Sequence, residues 1–587
     1  MLNFLWGMVS LPRAVSCARA FGNVEQTQQR VLLRVIRDNQ RSVFGKEHGF
    51  ACMRTAQDFI AKVPIATYDS YVPYVERIMR GEAMVLTREP VFALEPTSGS
   101  ASPSKYIPYT LPLLRQFQNG IAPWIVDLFL HRPGLMAGSA YWSITPVRRG
   151  MRKTSGGVPV GLKDDSGYFG ALAQRLIGCM RAVPAEVAEI DDMQSFRYVT
   201  LLFLLKDKAL SLISVWNPTF LKLLLQPMVG WAPSLLADLS LGMVNPPGTI
   251  REDLRKKLRK ALGMNSGRAR ELKSIFDRWY TRGSTIAGTQ SMYQEIWPCV
   301  SLISCWTDGA AARFVQDVRA FFPRVEIQPK GLLATEGFVS FPSYAASGAV
   351  LAITSHFFEF IEVDGCAAHD EGRHIEPKLA HQLQLGKTYS VVVTTAGGLC
   401  RYRLCDTIEV TGFVKASPLI RFKGKQDCVS DLCGEKLHEY HVGEVLKEAF
   451  TCFQITPQFF LMAPGSDGGK ERSYVLFLQL LASLPVAKAV LGELGLYIDT
   501  KLQENYHYHL CRELGQLQSL RIFLIPATVD PAREYLLYYH AQGQRLGQIK
   551  IPVLDKSLVW EKVFQGNLIE SRRISEEATQ HMLPRTC

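Results

Sequence analysis

Apolar residues recur at helical spacing along Gln26–Asn39, where Val31, Leu32, Val35 and Ile36 fall on one face. A loop is expected at Gly45–Gly49. Val91–Leu94 reads as a short buried strand that runs straight into a polar stretch beginning at Thr97. Ala311–Phe322 places Phe314, Val315, Val318 and Phe321 on one helical face, and Pro323 stops the helix. A strand follows at Val325–Ile327. An apolar run at Gly331–Ala334 ends in Thr335-Glu336-Gly337, and a further strand at Tyr389–Thr394 ends in Gly397-Gly398. Helices alternating with short Val/Ile/Leu strands predict an α/β protein. Past Asp406–Phe413 lies a short basic link, Arg421–Lys425, and beyond it strand-like runs at Phe459–Met462, Tyr474–Leu480 and Leu520–Ile525. A chain of 587 residues exceeds one hydrophobic core. The expected division is a domain over residues 1–420 and a second over 421–587.

Two apolar stretches invite a membrane reading. The N-terminal MLNFLWGMVSLPRAVSCARAF lacks a basic leading region and is interrupted by Gly7 and Pro12, so a short packing helix is expected there, with an interfacial helix as the alternative. Tyr198–Met243 is broken by Lys206, Asp207, Lys208 and three prolines, so no span is expected. Arg251–Leu262 carries Leu254, Leu258 and Leu262 as one stripe and basic residues elsewhere, which reads as a solvated basic face. Composition changes this picture little. A hydrophobic content of 47% excludes disorder, and 66 basic against 54 acidic side chains suit an enzyme that draws anionic substrates. Nucleic-acid binding would need that charge gathered on one face. Thirteen cysteines in no scaffold pattern fit reduced cytosolic thiols. The pairs Cys400/Cys405 and Cys428/Cys433, near His438 and His441, are spaced more loosely than the C-x2-C knuckles of structural zinc sites.

Three segments carry candidate chemistry. In Thr97-Ser98-Gly99-Ser100-Ala101-Ser102-Pro103-Ser104-Lys105, small hydroxyl residues and a glycine let backbone N–H groups approach an anion, and the lysine adds a point charge. The spacing is not that of a Walker A loop; a polar surface turn is the alternative. Thr335-Glu336 follows an apolar strand, where α/β proteins bind ligands, and a carboxylate there suits Mg²⁺ beside phosphates; a surface or capping role is the alternative. Asp406 in Arg401-Tyr402-Arg403-Leu404-Cys405-Asp406 suits ribose hydroxyls or, alternatively, an ion pair with Arg401 or Arg403.

The ordered set TSGSASPSKYIPYT (97–110), SCWTDGAAARF (304–314), KGLLATEGFVSFP (330–342), FFEFIE (357–362), LCRYRLCD (399–406) and DLCGEKL (431–437) resembles the auxin-responsive acyl-acid amido synthetases, the Gretchen Hagen family of adenylate-forming enzymes. The resemblance runs from about residue 25 past Lys550. It implies a firefly-luciferase-like fold with a large N-terminal domain and a smaller, mobile α+β C-terminal domain. It also implies a cytoplasmic ligase that uses ATP and Mg²⁺, converts a carboxylic acid to an acyl-adenylate with release of diphosphate, and passes the acyl group to an amine such as an amino acid. A thiol acceptor such as coenzyme A, or a catalytically weakened nucleotide- or acyl-binding regulator, are the alternatives. Carried over by the resemblance, Ser98, Gly99, Ser100 and Lys105 belong to the phosphate loop, and Thr307 lies near the nucleotide. Thr335 and Glu336 flank the α-phosphate and magnesium, and Asp406 binds ribose. Phe422 and Lys436 face the nucleotide around the hinge, and Lys550 in Gln548-Ile549-Lys550-Ile551-Pro552 reaches the reacting phosphate. This chain departs from the pattern at Ala101-Ser102, in place of a second glycine, at Cys405, in place of a glycine, and at Cys400, in place of a tyrosine.

Overall fold

A computed structural model describes residues 2–97, 105–143, 153–161, 181–282, 286–344, 346–363, 376–426, 429–465, 472–480 and 487–569. The chain forms two compact units, Met1–Lys423 with Gly543–Ile549, and Gly424–Gln542 with the chain from Lys550. The first division falls within the basic link. The later return of Gly543–Ile549 to the first unit has no counterpart in a simple two-part division.

The first unit holds two sheets and a hairpin. Strands β3 (Ser139–Trp142), β4 (Leu210–Ser214), β5 (Leu302–Cys305) and β6 (Glu326–Pro329) form a parallel sheet in that order. Every residue of β4 and β5 is buried, the mark of parallel strands covered on both faces. The helices Met193–Lys206, Pro218–Leu225 and Met228–Leu241 account for the apolar stretch seen in the sequence. Among the described residues no single helix is long and apolar enough to cross a membrane; the bent pair Pro218–Leu225 and Met228–Leu241 meets that length and composition together. The second sheet runs β10 (Lys378–Leu379), β9 (Phe357–Glu362), β11 (Thr388–Thr394), β12 (Tyr402–Val414), β13 (Ser417–Lys425), β8 (Ala349–Leu351) and β7 (Ser340–Pro342). The helix Leu111–His131 packs against β7. The hairpin pairs β1 (Ala93–Pro96) with β2 (Tyr106–Tyr109). β1 starts two residues later than the expected Val91, because its pairing with β2 sets its limits. The expected loop at Gly45–Gly49 begins instead inside a short helix, Val43–Glu47, whose first turn is capped by Ser42 Oγ accepting from Gly45 N–H at 3.0 Å. The expected helix over Ala311–Phe322 is split into a 3₁₀ segment, Gly309–Phe314, and a helix, Val315–Phe321.

The second unit is α+β. A small hairpin, β14 (Val429–Ser430) with β15 (Leu437–His438), precedes a sheet of β16 (Pro457–Pro464), β17 (Tyr474–Leu480), β18 (Arg521–Ile525) and β19 (Asn567–Ile569). β17 and β18 are parallel, so their connection must cross over. The helices Lys488–Leu502 and Tyr506–Glu513 make that crossover. Leu494, Ile498, Leu476 and Leu478 are among the residues that close this unit's core.

Candidate active site

Ser98, Gly99 and Ser100 lie outside the described residues, but the base of their loop does not. The N–H of Thr97 donates to the carbonyl of Lys105 at 2.8 Å, closing the hairpin directly beneath the loop. Lys105 Nζ stands 6.0 Å from the centroid of the Tyr68 ring. Tyr68 accepts from the Tyr106 N–H at 2.7 Å, which fixes the first residue of β2.

Thr335 and Glu336 form the tip of a two-residue turn. Ala334 and Gly337 exchange backbone hydrogen bonds of 3.0 and 3.2 Å, and Leu333 bridges Phe338. The turn is attached to the hairpin by the Tyr109 hydroxyl, which donates to the Thr335 carbonyl at 2.7 Å. The Tyr402 hydroxyl donates to Glu336 Oε1 at 3.3 Å. Burial pushes both the Tyr68 and Tyr402 phenols up, and the nearby Glu336 carboxylate adds to the effect in each. Both phenols therefore stay protonated, as neutral groups beside the Glu336 carboxylate. Lys105, Thr335 and Glu336, 230 residues apart in sequence, thus share one neighbourhood.

The support beneath this turn was not apparent in the sequence. His356 is fully buried; its Nε2 accepts from the Phe338 N–H at 2.9 Å, and its Nδ1 lies 3.0 Å from Gln116 Oε1. These two bonds assign the neutral tautomer with hydrogen on Nδ1. Gln116 Oε1 also accepts from Ala396 N–H at 2.7 Å, so one amide links the helix Leu111–His131, the imidazole and the loop after β11. The imidazole sits close against Gly337: a Cβ there would stand 3.1 Å from His356 Nε2. Burial pushes the His356 imidazolium down to about 3. Its folded value is depressed, so the unfolded chain binds the extra proton between about pH 3 and the ordinary range near 6.5. Stability from this site is complete above that range and falls as the medium is acidified. Thermal melts are expected to show this loss between pH 7 and pH 4, and His356→Gln to flatten it while lowering stability at pH 7 by about 1–3 kcal/mol.

Asp406 is buried on β12. Of the two arginines offered as ion-pair partners for it, Arg401 is committed elsewhere. Its guanidinium donates to both oxygens of Glu359 at 2.8 to 3.1 Å and to the carbonyls of Ile60 and Val63. Between Arg401 and Asp406 the pairing of β11 with β12 shifts register, from Val392 opposite Arg403 to Ser390 opposite Thr407. Such bulges re-aim side chains. Within this one, Cys405 sits at φ +60°, the left-handed region that favours glycine. Glycine is also what the family resemblance leads one to expect at this position. Cys405→Gly is expected to raise stability in denaturant titrations by about 0.5–1 kcal/mol, since it removes strain from a conformation glycine adopts freely.

The two residues after Thr307, Asp308 and Gly309, meet Phe422. Thr307 follows β5 at the carboxyl edge of the parallel sheet. Burial pushes the next residue, Asp308, up, while the charge of Arg421 and a hydrogen bond from the Phe422 N–H act in the opposite direction. Gly309, at φ +58°, lets the Phe422 ring approach; a Cβ would stand 3.0 Å from its Cε1. The same sheet edge carries a cation the sequence reading passed over. Lys330, just after β6, donates to Ser214 Oγ at 2.7 Å and stands 4.9 Å from the Trp216 ring centroid and 5.8 Å from that of Trp124. Trp216 and Trp306 are in contact, with ring centroids 5.7 Å apart. The carboxyl ends of parallel strands are where such folds bind ligands.

Glu95 on β1 pairs with Arg545 at 3.2 Å, and Asn217 donates to the Ile549 carbonyl at 2.6 Å. Gly543–Ile549 is therefore anchored to the first unit at two points, and Lys550 is the next residue in the chain. In the second unit, Lys436 is exposed at φ +43° on the loop between β14 and β15. Glu435, turned inward, accepts from the N–H groups of Leu432 and Cys433 at 2.7 and 2.9 Å and from Tyr474. Cys433, Glu435 and Cys511 gather their ligand-type atoms within 4.8 Å, yet the carboxylate is already occupied in stapling the loop. Cys428 lies outside the described residues. Cys400 belongs to the first unit and is buried, with its N–H donating to the Tyr71 hydroxyl at 2.8 Å.

The chain matches the GH3 family N-terminal domain over residues 17–327 and the GH3 family central domain over residues 349–425. It is 25% identical to the indole-3-acetic acid-amido synthetase GH3.15 of Arabidopsis thaliana over 599 aligned positions, 94% of each chain. It is 24% identical to the indole-3-acetic acid-amido synthetase GH3.8 of Oryza sativa subsp. indica, over 90% of this chain and 88% of that one. Its fold is similar to that of the AtGH3.15 acyl acid amido synthetase in complex with 2,4-DB, with a TM-score of 0.79, 19% identity and coverage of 96% and 97%. The N-terminal family match alone spans more than half of the chain, and the resemblance read from the six motifs holds: this chain belongs to the GH3 family.

Proposed function

We propose that this chain is an ATP-dependent acyl acid-amido synthetase. In the first step a carboxylate oxygen attacks the α-phosphorus of ATP, the bond to diphosphate breaks, and an acyl-adenylate forms. In the second, the nitrogen of an amine, an amino acid by analogy with the amido synthetases it resembles, attacks the acyl carbon. AMP departs and the nitrogen loses its proton. The observation that carries this reading is the meeting of the loop base at Lys105 with the Thr335-Glu336 turn, fastened by Tyr68, Tyr109 and Tyr402.

Ser98, Gly99, Ser100 and Lys105 would hold the phosphates, and Lys105 would offset the repulsion between carboxylate and phosphate as they approach. Glu336 fits a magnesium ion: its carboxylate offers hard oxygen ligands, and the Tyr402 hydroxyl donates to one of them. Bound there, Mg²⁺ would neutralise charge on the phosphate oxygens. Asp406 would accept from the ribose hydroxyls, and Thr307 and Phe422 would border the nucleotide from the parallel-sheet side. Lys436 and Lys550 belong to the second unit, and a lysine carried on a separate unit suits a group needed in the first step and withdrawn for the second. The cytoplasm is put forward as the site of the reaction, with a small-molecule carboxylic acid and amine as its partners.

Acid-dependent exchange of labelled diphosphate into ATP tests the reading. Exchange with some member of a broad carboxylic-acid panel is the expected result; nucleotide binding without exchange across the panel overturns it. Trapping the acyl group with amino acids against coenzyme A then separates amide from thioester formation.

A further inference from the structure

Two thiols of the second unit stand against each other and take no part in the chemistry proposed above. Cys433 is half-buried on the loop between β14 and β15, and Cys511 is buried on the helix Tyr506–Glu513. Their sulfur atoms lie within 4.8 Å of each other and of a carboxylate oxygen of Glu435. Cys511 Sγ donates to the carbonyl of Cys433 at 3.6 Å, so the helix thiol already rests on its neighbour's backbone. Cys433 Sγ donates to Glu435 Oε2 at 3.3 Å. That carboxylate also accepts from the N–H groups of Leu432 and Cys433 and from the Tyr474 hydroxyl. Its oxygens are thus engaged, and the two sulfurs are better placed to pair than to share a metal.

We propose that Cys433 and Cys511 form a reversible disulfide that locks the loop between β14 and β15 to the helix Tyr506–Glu513 when the surroundings turn oxidising. The oxidant is a small disulfide, that of glutathione. The sulfur of Cys433, partly open to solvent, attacks it; one glutathione leaves with the thiol proton, and a mixed disulfide remains. The sulfur of Cys511 then attacks the sulfur of Cys433. The second glutathione leaves with the other proton, and the S–S bond within the protein forms. Two electrons pass from the protein thiols to the glutathione disulfide, and no further co-reactant is needed. Burial, then the hydrogen bond and charge of Glu435, push the Cys433 thiol up to about 12. The thiolate is therefore scarce at neutral pH and exchange is slow, so the pair responds to a sustained change of redox poise and not to a brief one. In a reducing compartment it stays open. Bridging withdraws both S–H donors that now hold the loop, the one to Glu435 and the one to the Cys433 carbonyl. Lys436 is three residues past Cys433, and the effect of the lock on the first half-reaction rests on the role proposed for that lysine above.

The test incubates the undenatured full-length protein with reduced glutathione or with glutathione disulfide, blocks free thiols with N-ethylmaleimide and digests with trypsin. The expected product of the oxidised arm is a disulfide-linked pair of the peptides 426–436 and 502–512, absent from the reduced arm and lost on treatment with dithiothreitol. Peptide 426–436 also carries Cys428, so variants fix the assignment. The linked pair should persist in Cys428→Ser and vanish in Cys433→Ser, whose hydroxyl can still donate to Glu435. Acid-dependent ATP–diphosphate exchange should fall severalfold as the pair forms and return on reduction, while Cys433→Ser stays unresponsive. A stable glutathione adduct without the linked pair overturns the proposal, as does a pair that survives Cys433→Ser or an exchange rate that ignores the bridge. A zinc ion carried by the purified protein and shielding both thiols from maleimide would also overturn it and assign the cluster to metal. If the reduced protein shows no exchange at all, the proposed activity fails, whereas the linked peptides still decide whether the disulfide forms.

Discussion

Lys550→Ala is expected to slow acid-dependent ATP–diphosphate exchange by about 10²–10³-fold, the usual cost of removing one preorganised charge from a transition state. Affinity for the nucleotide should change only a few-fold, because in the proposed role the charge would act where carboxylate and phosphate approach rather than in the ground state. The position of the lysine motivates the prediction. The seven residues before it are held to the first unit through Arg545–Glu95 and Asn217–Ile549, so the chain enters Lys550 from a fixed point. Exchange kinetics and a direct nucleotide titration on the same preparation check it. Equal losses in both would mean that the residue supports structure and not the chemical step.

The second large effect concerns folding. Arg401→Met leaves the Glu359 carboxylate buried without its bidentate partner, and should cost about 3–5 kcal/mol in denaturant unfolding at pH 7.5. Burial already pushes Glu359 up, opposed only by the hydrogen bonds and charge of Arg401. Without that opposition the carboxyl rises further and takes up a proton in the folded state at a higher pH than in the unfolded chain. Folding is then favoured by acid, so the deficit of the variant should shrink between pH 7.5 and pH 5. The double variant Arg401→Met/Glu359→Leu should recover most of the loss, since it removes the buried charge as well. A deficit independent of pH would point to lost packing or to the lost bonds to Ile60 and Val63 instead.

The parts of this site that were legible in the sequence are local. A polar run after a short strand, an acidic residue after an apolar run and an aspartate after a strand can each be recognised within a dozen residues. What holds them is not local. Tyr109 meets Thr335 and Tyr402 meets Glu336 only after the chain has folded, and no periodicity records those pairings. His356 and Gln116 are 240 residues apart, and each reads singly as an ordinary core or helix residue. The bulge around Asp406 has a faint local signal, a cysteine where the family resemblance leads one to expect glycine; its left-handed backbone makes that signal intelligible. Arg401 illustrates the opposite hazard. Proximity in sequence offered it as a partner for Asp406, while its side chain serves Glu359.

The excursion of Gly543–Ile549 also decides how the molecule can be taken apart. The polypeptide passes from one unit to the other at residue 424, back at 543 and again at 550, so the second unit is not a cassette appended to the first. A fragment beginning at Gly424 would carry away seven residues whose partners, Glu95 and Asn217, stay behind. Nicking the Lys423–Gly424 link alone should leave two pieces that remain associated, because Gly543–Ile549 of the later piece stays bound to the first unit. Exchange of the second unit between relatives would likewise need two cut points around this segment, or it would separate Lys550 from the anchor that precedes it.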